Sequence, residues 1–213
     1  MKTDDLVAML ATGVMPVPPD AANRRVGLAL LAGVTVSLAM LLFGYGLRRD
    51  VLPAMALPMF WVKLAYPLGI AVVAWVLVER LARPGVLVRR AWWGLVVPVL
   101  SVAAMAGATW FAAPEQDRLP SLLGGSWRTC ALSIGLMALP IFVALILALK
   151  TLAPTRPALA GAAAGALAGG LGAALYALYC VEMAAPFVAV WYGVGILLPT
   201  LAGALWGRPL LSW

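Results

Sequence analysis

Two cysteines, Cys130 and Cys180, and one carboxylate, Glu182, are the residues of this sequence best suited to chemistry. A thiol pair can close a disulfide, be oxidised, or capture a thiophilic metal, and a nearby carboxylate would add an oxygen ligand. Two sulfurs and one oxygen make an incomplete metal site, so Glu182 also reads as a solvated loop residue. The cysteines have no CxxC arrangement, and Arg128 is the only basic residue close to either in sequence, which gives catalytic thiol exchange little support. Lys63 is a lone charge in an apolar stretch. It reads as a buried functional lysine or, more simply, as one that snorkels to an interface. The chain has no histidine. That excludes His-ligated haem, His-ligated zinc and any imidazole-dependent triad, so no enzyme activity and no cofactor is expected.

The elements that must position these residues are membrane helices. Of 213 residues, 64% are hydrophobic and 11% charged, and the mean hydropathy is +1.01. Soluble domains carry about twice that share of charge. Uncharged runs cover Val26–Leu47, Ala91–Pro114, Thr129–Leu149, Pro157–Val181 and Met183–Gly207, each long enough for a helix to cross a hydrocarbon core of about 30 Å. A sixth span, Pro58–Leu81, is interrupted by Lys63. The expectation is an all-α, six-helix transmembrane bundle over residues 26–213, preceded by a separate segment at residues 1–25.

Six spans leave both termini on one side. If that side is the cytoplasm, ten of the fifteen Lys and Arg residues lie inside and five outside, the excess the positive-inside rule requires. Arg80, Arg83, Arg89 and Arg90 in one loop weigh most, and Arg48 with Arg49 dissent. The net charge of +7 is spread between apolar runs, which is orientation charge and not a nucleic-acid footprint. Tryptophans 61, 110 and 127 would mark the outer interface and 92, 93, 206 and 213 the inner. Prolines 67, 98, 140 and 199 fall within four spans and should kink them. The acidic, proline-rich start does not read as a signal peptide.

Cys130 lies 25 residues before Thr155, the centre of the loop between the fourth and fifth spans, and Cys180 lies 25 after it. Antiparallel helices place such positions at equal depth, here at the outer, periplasmic end. Equal depth permits a disulfide without requiring one. Gly161, Gly165 and Gly169 recur every fourth residue and form a groove that another helix can approach closely. Gly203 and Gly207 repeat the spacing in the last span. A neighbour in the same chain is the favoured occupant, and a second copy, giving a homodimer, is the alternative.

Residues 1–25 have a different character. Thr3 can cap a helix opening on Asp4 and Asp5, whose charge suits the helix dipole. Leu6, Val7 and Leu10 share one face, and Val14 continues it. Met15-Pro16-Val17-Pro18-Pro19 should be extended. So short an amphipathic helix has apolar residues and no core of its own, which suits folding on a partner as well as it suits a loose tail.

Taken in order, Thr3-Asp4-Asp5-Leu6-Val7, Pro16-Val17-x-Pro19, Phe60-Trp61-x-Lys63, Ser126-Trp127-x-x-Cys130, Ala153-Pro154-Thr155-Arg156-Pro157 with the glycine ladder, Cys180-x-Glu182 and Phe187 to Trp191-Tyr192 resemble the NrsF family of bacterial membrane anti-sigma factors. The resemblance implies a six-helix inner-membrane protein that holds an extracytoplasmic-function sigma factor inactive without touching nucleic acid. Its cytoplasmic grip would be Asp4, Asp5, Leu6, Val7, Leu10, Val14, Pro16 and Val17. Its input would be Cys130 and Cys180, with Glu182 beside them, sensing heavy metals or oxidants. The family pattern often sets His before the second cysteine and Pro after it. Here Tyr179 and Val181 stand there, which leaves thiol oxidation or two-thiol metal capture. The rival functions are a small transporter or channel and a membrane thiol-redox enzyme. The five uncharged runs offer a transported ion no path of ionisable residues.

Overall fold

The apolar runs fold as helices throughout the computed structural model, which describes residues 3–12, 20–83, 86, 88 and 91–212, with only the backbone described at Leu10. Helix α1 is Thr3–Ala11 and α2 Ala21–Met40, the latter continued by a π-helical turn at Leu41–Tyr45. A short α3, Val51–Met55, leads into α4, Pro58–Leu81. A 3-10 turn at Ala91–Leu95 opens α5, Val96–Ala112, and a surface helix α6, Glu115–Leu123, precedes α7, Trp127–Lys150. Helix α8 is Pro157–Ala177. The last span is α9, Ala185–Phe187, a second π turn at Val188–Tyr192, and α10, Gly193–Leu211. Among the described residues, six helical stretches are long and apolar enough to cross a membrane.

Helix α8 is the central element because its residues are small. Nearly every position from Ala160 to Ala177 is buried, and α10, α4 and α7 surround it. A Cβ on Gly161 would meet the Gly203 carbonyl, one on Gly165 the Pro199 carbonyl, and one on Gly169 the Ile196 Cα at 2.9 Å. The ladder is therefore occupied by α10 of the same chain. Gly170 faces the opposite neighbour, where a Cβ would lie 2.8 Å from the Pro67 carbonyl of α4. Helix α2 reaches α7 by the same means. A Cβ on Gly33 would stand 2.6 Å from the Ile141 Cα, and the buried Ser37 Oγ lies 2.7 Å from the Met137 carbonyl and 3.0 Å from that of Gly33.

Three sequence expectations change. Pro98 stands in the first turn of α5, after the 3-10 turn, where its missing N–H breaks no helical bond, so it need not kink the span. The fifth span stops at Ala177 and not Val181, because residues 178–184 leave the helix. The first span begins at Ala21, five residues before the uncharged run, since Arg24 and Arg25 extend it outside the apolar layer.

Alternating spans place the starts of α2 and the ends of α4, α7's hairpin and α10 at one end of the bundle. One buried cluster there joins Val26, Leu81, Val88, Leu149, Ala160 and Leu211. The other end is built around Leu41, Cys130, Ile134, Tyr176, Cys180, Phe187 and Tyr192.

Candidate functional site

Cys130 sits in the first turn of α7 and Cys180 in the irregular strap 178–184 between α8 and α9. The two share one buried cluster, as free thiols with 0% and 3% exposure. Tyr176 and Tyr192 line the same cluster, their ring centres 6.1 Å apart. The Tyr192 hydroxyl is buried and has no hydrogen-bond partner among the described residues. The two π-helical turns of the described chain border this end. One supplies Tyr192, and the other supplies Tyr45, which packs edge-on against Tyr179 at 5.2 Å. Such turns insert one extra residue and re-aim side chains, a device common at functional sites.

Lys63 belongs to this site, and the snorkelling expectation is wrong. Its side chain is fully buried. Its Nζ donates to the carbonyl of Cys180 at 2.6 Å and to that of Glu182 at 2.8 Å, and stands 5.6 Å from the centre of the Tyr192 ring. An ammonium out of water needs its donors satisfied. The strap supplies two backbone carbonyls because it is not helical and has them free.

Arg48, in the loop after the first span, holds the same strap from the other side. Its backbone N–H donates to the Leu178 carbonyl at 3.2 Å and its Nη1 to the Cys180 carbonyl at 3.4 Å. Its Nε and Nη2 grip Asp50 at 2.8 and 2.6 Å, a bidentate pair. That contact with Asp50 pushes the guanidinium above its ordinary range, and Arg48 in turn holds the Asp50 carboxyl below the usual carboxylate value.

Glu182 bonds to backbone. Its Oε1 accepts the backbone N–H of Gly125 at 2.8 Å, and no group of three or more Cys, Asp or Glu residues able to hold a metal occurs among the described residues. The carboxylate instead fastens the strap to the turn between α6 and α7. Trp191 ties down the same region, donating Nε1 to the Leu122 carbonyl at 2.9 Å and packing 5.4 Å from Trp127.

The amino-terminal helix lies apart from this site in sequence and joins the bundle at its opposite end. Asp4, Asp5, Leu6 and Val7 fall on α1 with exposed side chains, Leu6 at 38% and Val7 at 59%. The side chain of Leu10, and the whole of Val14, Pro16 and Val17, lie outside the described residues. Sequence reasoning missed the roles of Arg48, Asp50, Gly125 and Tyr176, and for Lys63 it ranked the buried reading below snorkelling. A charge interrupting an otherwise apolar span was the available signal for Lys63.

No solved structure matches the chain. Its sequence matches the profile of NrsF, described as "Negative regulator of sigma F", over residues 10–213. It is 39% identical over 213 residues to the probable anti-sigma-F factor NrsF of Azospira oryzae, with both chains covered in full. It is likewise 39% identical over 220 residues, again covering both in full, to the anti-sigma-F factor NrsF of Caulobacter vibrioides. A match that runs through every span, the cysteine end and the glycine ladder means that this chain belongs to the NrsF family of negative regulators of sigma F.

Proposed function

We propose that this chain is an inner-membrane anti-sigma factor. Both termini are cytoplasmic, its amino-terminal segment sequesters an extracytoplasmic-function sigma factor, and a periplasmic oxidant or heavy metal acting on Cys130 and Cys180 releases it. The names of the relatives support the anti-sigma role. The single observation that carries the grip is α1, whose apolar residues Leu6, Val7 and Met9 stand exposed. A short helix with an uncovered apolar face suits the groove of a protein partner. Asp4 and Asp5 on its first turn would meet basic residues that otherwise contact polymerase or DNA.

The charge pattern supports the orientation. Two of the five basic residues on the outer side, Arg48 and Lys63, are buried and bonded to the strap, so they do not act as free orientation charges. The inside excess is then larger than a plain count gives. The place of both thiols in one buried cluster supports a two-thiol input.

The test is deletion of residues 1–22 followed by co-purification of the sigma factor from membranes. The shortened chain should remain in the membrane and retain none of it. Undiminished retention would remove the proposed grip.

A further inference from the structure

The strap that carries Cys180 is tied to the second span by one side chain. Lys63 stands in the second turn of α4, and its ammonium holds two carbonyls of the strap, at Cys180 and Glu182. The shorter of these bonds is 2.6 Å, against 3.4 Å for the contact of Arg48 with the same Cys180 oxygen. Arg48 is also committed to Asp50 and lies in a loop. Lys63 is therefore the firmer anchor, and the one rooted in a membrane-spanning helix.

That helix reaches the other end of the bundle. Just past its last turn, Arg83 Nη2 donates to Asn23 Oδ1 at 2.9 Å. Asn23 is in the first turn of α2, at the end of the amino-terminal segment 1–25. Between the two contacts α4 has one built-in pivot. Pro67 lacks the N–H that would bond the carbonyl four residues back, which is that of Lys63. The helix is one backbone hydrogen bond weaker at the turn that bears Lys63, so a displacement of Lys63 acts on α4 there first. Below the pivot the helix is seated closely on α8 at Gly170.

We propose that Lys63 is a positioning residue that couples the Cys180 strap to α4, and that α4 carries a change at the thiols to the root of the amino-terminal segment through Arg83 and Asn23. This rests on the reading of the thiols as input and the amino-terminal segment as grip. A group added to Cys180, or a bond drawing it toward Cys130, shifts the strap carbonyls. Lys63 follows them, the kink at Pro67 changes, and the lower arm of α4 moves against Asn23.

The test uses the tagged full-length chain in membranes of its own host, with N-ethylmaleimide as the thiol probe. Alkylation of each cysteine is followed by mass spectrometry, and the retained sigma factor is measured before and after. Wild type should lose sigma on alkylation. Lys63→Met should retain sigma beforehand. Its Cys180 should alkylate on the order of tenfold faster, the scale of losing a charge-assisted hydrogen bond from a local opening, with Cys130 little changed, and it should keep sigma afterwards. An equal rise at both cysteines marks general loosening and overturns the proposal, as does sigma loss matching wild type.

Should Lys63→Met fail to fold, Asn23→Ala decides. It should leave both alkylation rates unchanged and abolish release, while Asn23→Asp, which keeps an acceptor for Arg83, restores it. Normal release from Asn23→Ala overturns the proposal. If wild type itself keeps sigma after full alkylation, the thiol-input reading fails, and the coupling to the amino-terminal segment falls with it. Selective exposure of Cys180 in Lys63→Met would then still decide whether Lys63 anchors the strap.

Discussion

The Glu182 carboxylate accepts the backbone N–H of Gly125 at 2.8 Å, joining the strap beside Cys180 to the turn that leads into the helix of Cys130. The turn is shaped for this contact. Gly124 has φ +56°, and a Cβ there would stand 2.8 Å from the Glu182 carboxylate and 2.9 Å from the Phe187 ring. Both the backbone conformation and the space demand glycine. Glu182 therefore closes the strap that carries Cys180 onto the turn before α7.

The first prediction follows from that closure. Glu182→Ala removes the acceptor, and the Gly125 amide should exchange with solvent roughly tenfold faster, the scale of one lost hydrogen bond to a charged group. Glu182→Gln keeps an amide oxygen and should show a smaller effect. Equal exchange in all three proteins would mean that the bond does not hold the turn.

The second concerns the seam between α8 and α10. Gly165 faces the Pro199 carbonyl so closely that any Cβ forces the helices apart. Gly165→Ala should lower stability by about 1–3 kcal/mol, the usual range for overpacking a filled interior, and Gly165→Val by more. Gly107, where an added Cβ would meet nothing within 4 Å, is the control, and Gly107→Ala should leave the thermal midpoint in detergent unchanged or slightly raised. Equal sensitivity at the two positions would remove the case for the seam.

How far the sequence disclosed these contacts depended on their range. The spans, the glycine ladder and the depth of Cys130 relative to the hairpin follow from hydropathy and a four-residue period, both local properties. The partners of Lys63 did not follow, because they are backbone carbonyls 117 and 119 residues away, and any residue type could have supplied them. Glu182 was legible as lying near Cys180 but not as bonding an amide. A carboxylate pairs with N–H groups as readily as with metals, and the choice is made by the turn at Gly124. Arg48 read as a charge opposing the expected orientation until its burial with Asp50 and the strap was seen.

The Arg48–Asp50 pair sets a pH dependence. The Asp50 carboxyl lies below its ordinary value of 3.8, chiefly through its bond to Arg48. A carboxyl lowered on folding stabilises the fold above its unfolded pKa and loses that contribution as pH falls through the lowered value. The gap in thermal midpoint between wild type and Asp50→Asn should therefore hold steady from neutral pH to about pH 5 and close below about pH 4. It should be small, since the Asp50 side chain is 55% exposed and solvent screens the pair. A gap that widened in acid would contradict the sign.

The exposed face of α1 gives the sharpest test of the proposed grip. Leu6 and Val7 both stand at the surface of the isolated chain, so Leu6→Asp and Val7→Asp should leave thermal stability within about 0.5 kcal/mol of wild type, as for most surface substitutions. On a partner the same side chains would leave water. Burying one fully is worth about 1.5–3 kcal/mol, so either change should weaken sigma binding by roughly 10- to 100-fold, and a charge forced into an apolar groove should push toward the upper end. Asp4→Asn and Asp5→Asn should act differently. If these carboxylates meet basic residues at the rim, they should slow association, and the effect should fade as salt is raised. Binding by titration at two salt concentrations, with the full chain in nanodiscs, separates the two classes. Tight binding by Leu6→Asp together with Val7→Asp would place the grip elsewhere on the chain.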